Sequence, residues 1–348
     1  MKALVFNGPC DIRYESFEEP KIRDSRNAIV RVSHCSICGS DLHMYHGGSI
    51  GPMDYSKPGQ SFCTGHEFIG EIVEVGSSVR KHKVGDMVLV AGGAGCGECH
   101  ACLSGMLNHC KTGWPYGISP DLQGGQAEFA EIVNADIGAH IIPDDVTPEQ
   151  AILLTDALST GYYGARVAGV KPGAVVAVLG QGPIGRLAAE CALAMGAARV
   201  FTVDPIEVRR EQSRLFGAEP VEPSHTKAFI EEHTRGSGVD AVIEAVGKSE
   251  TIALGIDLVR TGGNVAIMGI IQSGAAIPMH VAQMKSAAVH ATLAPVMATW
   301  PELIALLQSG RIKGEGLFTH RFGLSEGAEA YRMFDGQEDG VIKVMIEL

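Results

Sequence analysis

No apolar run in the 348-residue sequence reaches the roughly 18–20 residues that a bilayer-spanning helix needs. The first residues, MKALVFNGPCDIRY, alternate apolar and polar like a strand and carry no secretory h-region or cleavage site, so a cytoplasmic location is expected. Positive charge is in the minority. Lys and Arg number 28 against 40 Asp and Glu, a formal net charge of −12 with His neutral. That balance excludes a general nucleic-acid binder and a protein that coats anionic lipid. Internal repeats, low-complexity tracts and long flexible linkers are also lacking.

What remains is rich in core-forming residues. Hydrophobic residues make up 45% and charged residues 20%, which excludes a disordered chain, and the length suits roughly two domains of about 150 residues. The 44 Gly imply many tight turns and close backbone approaches. Nine Cys fall at 10, 35, 38, 63, 96, 99, 102, 110 and 191, and four of them crowd into fifteen positions. Without a signal peptide, such clustering favours metal over disulfides. Cys10, Cys35, Cys63 and Cys191 read as small buried residues.

The first half reads as a mainly β domain. Strands are expected over 28–32, 68–75, 83–90 and 126–133, with a loop over 34–39 and Ser40 or Asp41 capping a following helix. Thr147-Pro148-Glu149 resembles a helix start. From there the rhythm changes. Strand is expected over 174–179, helix over 183–195, strand over 199–203, helix near 206–216, and strands over 241–245 and 264–268. That alternation describes a doubly wound parallel sheet. Beyond about residue 291 the pattern turns irregular, as if the chain returns to its first domain.

Gly180-Gln181-Gly182-Pro183-Ile184-Gly185 is G-x-G-x-x-G, placed after a strand and opening a helix. The first Gly would make the tight turn, the second would admit a pyrophosphate to the backbone, and the third would let helix and strand pack closely. Free N–H groups at the helix start would hold the phosphates. Asp204 ends the next strand, nineteen residues after Gly185. A carboxylate there accepts from ribose hydroxyls and repels a 2′-phosphate, favouring NAD over NADP, and it also suits a helix cap before Pro205. Arg209 and Arg210 lie close enough to bear on that preference, although Arg at such positions usually forms a solvated helix face.

Cys96-x2-Cys99-x2-Cys102-x7-Cys110 offers four thiolates in one loop, a closed tetrahedral set suited to structural zinc. An Fe–S cluster also takes four Cys, but the ferredoxin spacings differ. His100 and His109 read as bystanders. Cys38, His66 and Asp156 are dispersed, and spacing alone does not assemble them.

Five features in order carry a resemblance that covers essentially the whole chain: CGSDLH, GHEFIGEIVEVG, the four-Cys loop, TDALSTG, and GQGPIG with Asp204. Together they are similar to the zinc-dependent medium-chain alcohol dehydrogenases. The resemblance implies an α/β chain with a GroES-like, mainly β catalytic domain over 1–157 and 292–348 that holds both zinc sites. A doubly wound Rossmann domain over 158–291 would bind NAD. It implies that Cys38, His66 and Asp156 bind a catalytic zinc, with Glu67 as an occasional further ligand. Ser40 and His43 match the proton-relay positions, and Trp114 matches a substrate-pocket position. Asp as third ligand is similar to the bacterial secondary-alcohol branch. Some members of that branch lack the structural zinc whose four Cys are present here.

Three ligands of net charge −2 would leave zinc one open position, where an alcohol oxygen acidifies before hydride leaves for the nicotinamide. The expected function is NAD-linked interconversion of a secondary or primary alcohol with its ketone or aldehyde. The expected assembly is a homo-oligomer, with a tetramer favoured over a dimer. Polyol, sugar-alcohol or threonine-type oxidation is the rival enzyme reading, and a non-catalytic cofactor-binding protein is the rival of another class.

Overall fold

Strand Ala28–Ile37 is buried along most of its length, because it pairs on both edges. Glu67–Val75 lies antiparallel on one side, with Ser36 opposite Glu67 and Cys35 opposite Phe68. Phe129–Ile132 pairs with its first half, and the C-terminal strand Lys343–Glu347 pairs with its second half. Around this strand a seven-stranded sheet forms, and a three-stranded sheet contains the N-terminal hairpin Lys2–Gly8 and Asp11–Ser16. Phe68, Ile72, Val88, Tyr331, Val344 and Ile346 belong to the core that these strands bury.

The computed structural model describes residues 1–50, 53–56, 59–113, 115–271 and 274–348. Trp114 lies outside the described residues. The chain divides into two compact units. The first comprises Met1–Asp156, Pro295–Ile304 and Glu315–Leu348, and the second comprises Ala157–Ala294 and Ala305–Gly314. This division differs from the expected one at residues 157, 292–294 and 305–314, which group with the second unit rather than the first. Among the described residues no helix is long and apolar enough to cross a membrane.

The second unit holds a six-stranded parallel sheet. Val175–Leu179 is central, flanked by Arg199–Val203 on one side and Val239–Glu244 on the other. The register sets Leu179 beside both Val203 and Glu244. The strand order reverses at Val175–Leu179, so its C-terminal end is the topological switch point where doubly wound sheets bind ligands.

Local expectations fail in four places. Residues 34–37, expected in a loop, extend the strand by pairing with 67–69 and 344–347. The helix Gly39–Tyr45 is capped by Cys38 rather than by Ser40 or Asp41. Asp41 sits at the third helical position and its Oδ2 accepts from the Cys38 amide at 2.9 Å. Cys10, expected in a core, is exposed in the turn between the first two strands, with φ +56°. Arg210, expected in solvent, is buried. By contrast Thr147 caps helix Pro148–Thr155 by accepting from the Gln150 amide.

Candidate metal centres and dinucleotide loop

Cys38 follows the central strand of the first unit, His66 precedes the strand beside it, and Asp156 sits at the break between helices Pro148–Thr155 and Ala157–Val167. The antiparallel register that sets Ser36 against Glu67 therefore brings Cys38 and His66 to one end of the sheet. Cys38, His66 and Asp156 each direct one donor atom into a group whose members all lie within 4.8 Å of one another. Asp156 Oδ2 is 3.4 Å from Cys38 Sγ and 3.4 Å from His66 Nε2. Tetrahedral zinc with bonds of about 2.0–2.3 Å needs donor separations of about 3.3–3.8 Å, a range that both separations from Asp156 meet.

The chemistry of the group agrees. Burial, with the Asp156 charge adding to it, raises the Cys38 pKa. For His66 burial alone would lower the pKa, but the Asp41 carboxylate and the bond to Asp156 outweigh it, and the ring titrates well above 6.5. A divalent ion bound by these donors would displace their protons. Behind the ring, Asp41 Oδ1 stands 3.1 Å from His66 Nδ1, off the direction of a well-formed hydrogen bond. A carboxylate behind a ligating imidazole fixes which nitrogen faces the metal. Asp41, which reads locally as a helix cap, is thus a site residue that the linear pattern does not reveal.

Glu67 is placed differently from an occasional ligand. It is fully buried, stands outside the group of close donors, and its Oε2 accepts from Lys343 Nζ at 2.6 Å. Lys343 is also fully buried, and it reaches the Ile37 carbonyl at 3.4 Å. Removing one partner of a buried ion pair strands the other charge. Lys343→Met is therefore expected to cost about 3–5 kcal/mol of stability. Adding Glu67→Gln should recover much of that loss. Denaturant unfolding of the single and double variants checks this, and equal stabilities for the two would contradict it.

The four Cys of the loop also converge, with Sγ separations of 3.5 Å for Cys99–Cys102 and 3.9 Å for Cys96–Cys102. Cys96 Sγ accepts from the Cys99 amide and Cys110 Sγ from the Cys96 amide, both at 3.3 Å. Burial pushes the Cys110 thiol up, but the Thr112 hydroxyl and the Cys96 amide bring it down to about 6. Burial pushes Cys102 up to about 12. The loop adds only a small cluster of Leu107 with Cys102 and Cys110, so a four-thiolate metal suits it as a clamp. All nine Cys are free.

In the second unit the Gly loop follows Leu179 directly. Gly180 has φ +90°, open only to glycine without strain. A Cβ on Gly185 would stand 1.9 Å from the Gly180 carbonyl oxygen, whereas one on Gly182 would meet nothing within 4 Å. The turn is closed within and open outward, as a pyrophosphate requires. Pro183 is the first residue of helix Pro183–Ala194, and Ile184 is half-buried behind it. Asp204 Oδ2 accepts from the Gln181 amide at 2.7 Å and Oδ1 from the Ile206 amide at 2.8 Å. Each carboxylate oxygen keeps a second lone pair for a ribose hydroxyl. Arg209 is half-buried, its pKa lowered by burial against the pull of Asp204. Arg210 donates to the Asp204 carbonyl at 2.7 Å and pairs with Glu222 at 2.7 Å, which explains its burial.

Ser40 Oγ lies 3.3 Å from His66 Nε2, on the donor side of the ring. His43 is half-buried on the same helix, three residues on, and burial lowers its pKa.

The sequence matches two family models, an alcohol dehydrogenase GroES-like domain over residues 24–144 and a zinc-binding dehydrogenase over 183–309. It is 38% identical to a probable zinc-binding alcohol dehydrogenase of Mycobacterium tuberculosis, over 95% of this chain and 84% of that one. It is 31% identical to a sorbitol dehydrogenase of Bacillus subtilis, over 99% and 97%. The fold superposes on the alcohol dehydrogenase of Thermus sp. ATN1 with a TM-score of 0.92 and 33% identity, covering 100% of this chain and 99% of that one.

Proposed function

The chain belongs to the zinc-dependent medium-chain alcohol dehydrogenases, and from that premise we propose that it transfers hydride reversibly between an alcohol and NAD. The observation that carries this reading is the convergence of Cys38, His66 and Asp156 within 4.8 Å, with both separations from Asp156 at the edge length of a zinc tetrahedron that has one vertex left over. Zinc would supply Lewis acidity to an alcohol or carbonyl oxygen, and NAD would accept or return the hydride. The protein's part is to hold, orient and move a proton. Cys38, His66 and Asp156 hold, and Asp41 orients His66. Ser40 Oγ takes the alcohol proton and passes it towards His43, which its lowered pKa keeps neutral at physiological pH. The four-Cys loop takes a second, structural zinc.

The substrate is a secondary or primary alcohol. The sorbitol dehydrogenase relative supports a second reading, oxidation of a polyol. Steady-state kinetics with NAD across simple alcohols, polyols and threonine separate the two. Simple alcohols are expected to give the highest kcat/KM. A preference for polyols would establish the second reading, and NAD binding without turnover on any of them would overturn both.

Asp204 is the proposed determinant of cofactor choice. A charged acceptor on a ribose hydroxyl is worth about 1.5–3 kcal/mol, or roughly ten- to a hundredfold in affinity. The same carboxylate opposes a 2′-phosphate. Asp204→Ser should therefore lower kcat/KM for NAD and raise it for NADP. Wild-type kinetics favouring NADP would defeat the assignment.

A further inference from the structure

Gln126 belongs to none of the motifs above, yet its side chain is fully buried and its carboxamide is bonded to both ligand-bearing segments. Its Nε2 donates to the Ser36 carbonyl at 2.9 Å, two residues before Cys38. Its Oε1 accepts from the Thr64 hydroxyl at 2.5 Å, two residues before His66, and from the Tyr331 hydroxyl at 2.9 Å. The Gln126 amide also donates to the Thr64 carbonyl at 2.9 Å. Gly65, at φ +91°, is moulded onto the same side chain, since a Cβ there would stand 2.3 Å from Gln126 Cγ. One planar amide therefore bridges the chain entering Cys38 and the chain entering His66. Ser36, Thr64 and Tyr331 are themselves fully buried, so no water is at hand to replace a lost bond.

We propose that Gln126 is a positioning residue for the Cys38–His66–Asp156 centre, fixing the separation of the two ligand-bearing segments through the Ser36 carbonyl and the Thr64 hydroxyl. The proposal rests on the reading of that centre as a metal site. Outer partners of metal ligands typically carry about 10–100-fold in metal affinity. Gln126→Met keeps the length of the side chain and its packing against Gly65 while removing all three side-chain hydrogen bonds. Tyr331→Phe removes only one of them, loosening the carboxamide while keeping its bonds to the Ser36 carbonyl and the Thr64 hydroxyl.

The test is zinc retention by the full chain during dialysis against graded chelator, with the four-Cys loop as internal control. In Gln126→Met one zinc should keep its wild-type affinity while the other weakens about 10–100-fold. Tyr331→Phe should show a smaller loss at the same single site, and it decides the matter if Gln126→Met does not fold. Unchanged retention at both sites, or equal weakening at both, overturns the proposal, because the second pattern means general loosening of the fold. A wild type that retains zinc only in the four-Cys loop defeats the reading of the centre itself, and the proposal falls with it.

Discussion

Cys38→Ala or Asp156→Ala is expected to abolish turnover while leaving a folded chain that still holds metal in the four-Cys loop. Each removes one of only three donors, and Lewis-acid stabilisation is worth several kcal/mol, or roughly a thousandfold or more in rate. The core does not depend on either side chain, because the strands around them are held by backbone ladders and by Phe68, Val344 and Ile346. Cys99→Ala should do the reverse. The four-Cys loop has little apolar packing of its own, so losing its metal should mainly lower stability. Activity, metal content and thermal unfolding measured together separate the two patterns. Loss of both metals from Cys38→Ala would show that the sites are not independent.

Ser40→Ala should slow alcohol oxidation by roughly 10²–10⁴-fold, the range for a positioned proton-transfer group. Its hydroxyl stands 3.3 Å from His66 Nε2, on the side of the ring where the donors converge. His43→Gln should cost less, because solvent can take over a terminal acceptor. Its effect should lie in the pH profile. Burial, with the His46 charge adding to it, holds the His43 pKa below 6.5, so the ring accepts a proton throughout the neutral range. Without it, oxidation should rise more steeply with pH. Equal and pH-independent losses in the two variants would argue against this proton path.

The parallel sheet of the second unit was the most legible part of the sequence, because its signals are local. Buried runs such as Val175–Leu179 and Arg199–Val203 end directly at Gly180 and Asp204, and the parallel register then sets those two residues side by side. The four-Cys loop was legible for the same reason, with all its donors inside fifteen positions. Cys38, His66 and Asp156 could be grouped only through the family resemblance, since strand pairing and a helix break, not spacing, bring them together. Lys343 and Gln126 gave no signal at all. A buried Lys in a C-terminal strand and a Gln beside two Gly acquire meaning only from partners 276 and 62 residues away. Arg210 misled for a related reason: its burial depends on Glu222, on the far side of a turn.

The most direct measurement is the zinc content of the fully loaded wild-type chain. The two donor groups, three side chains with an open vertex and four thiolates closed on themselves, predict two zinc ions per chain. A single zinc at saturation would contradict the account, because one of the two groups would then be no metal site.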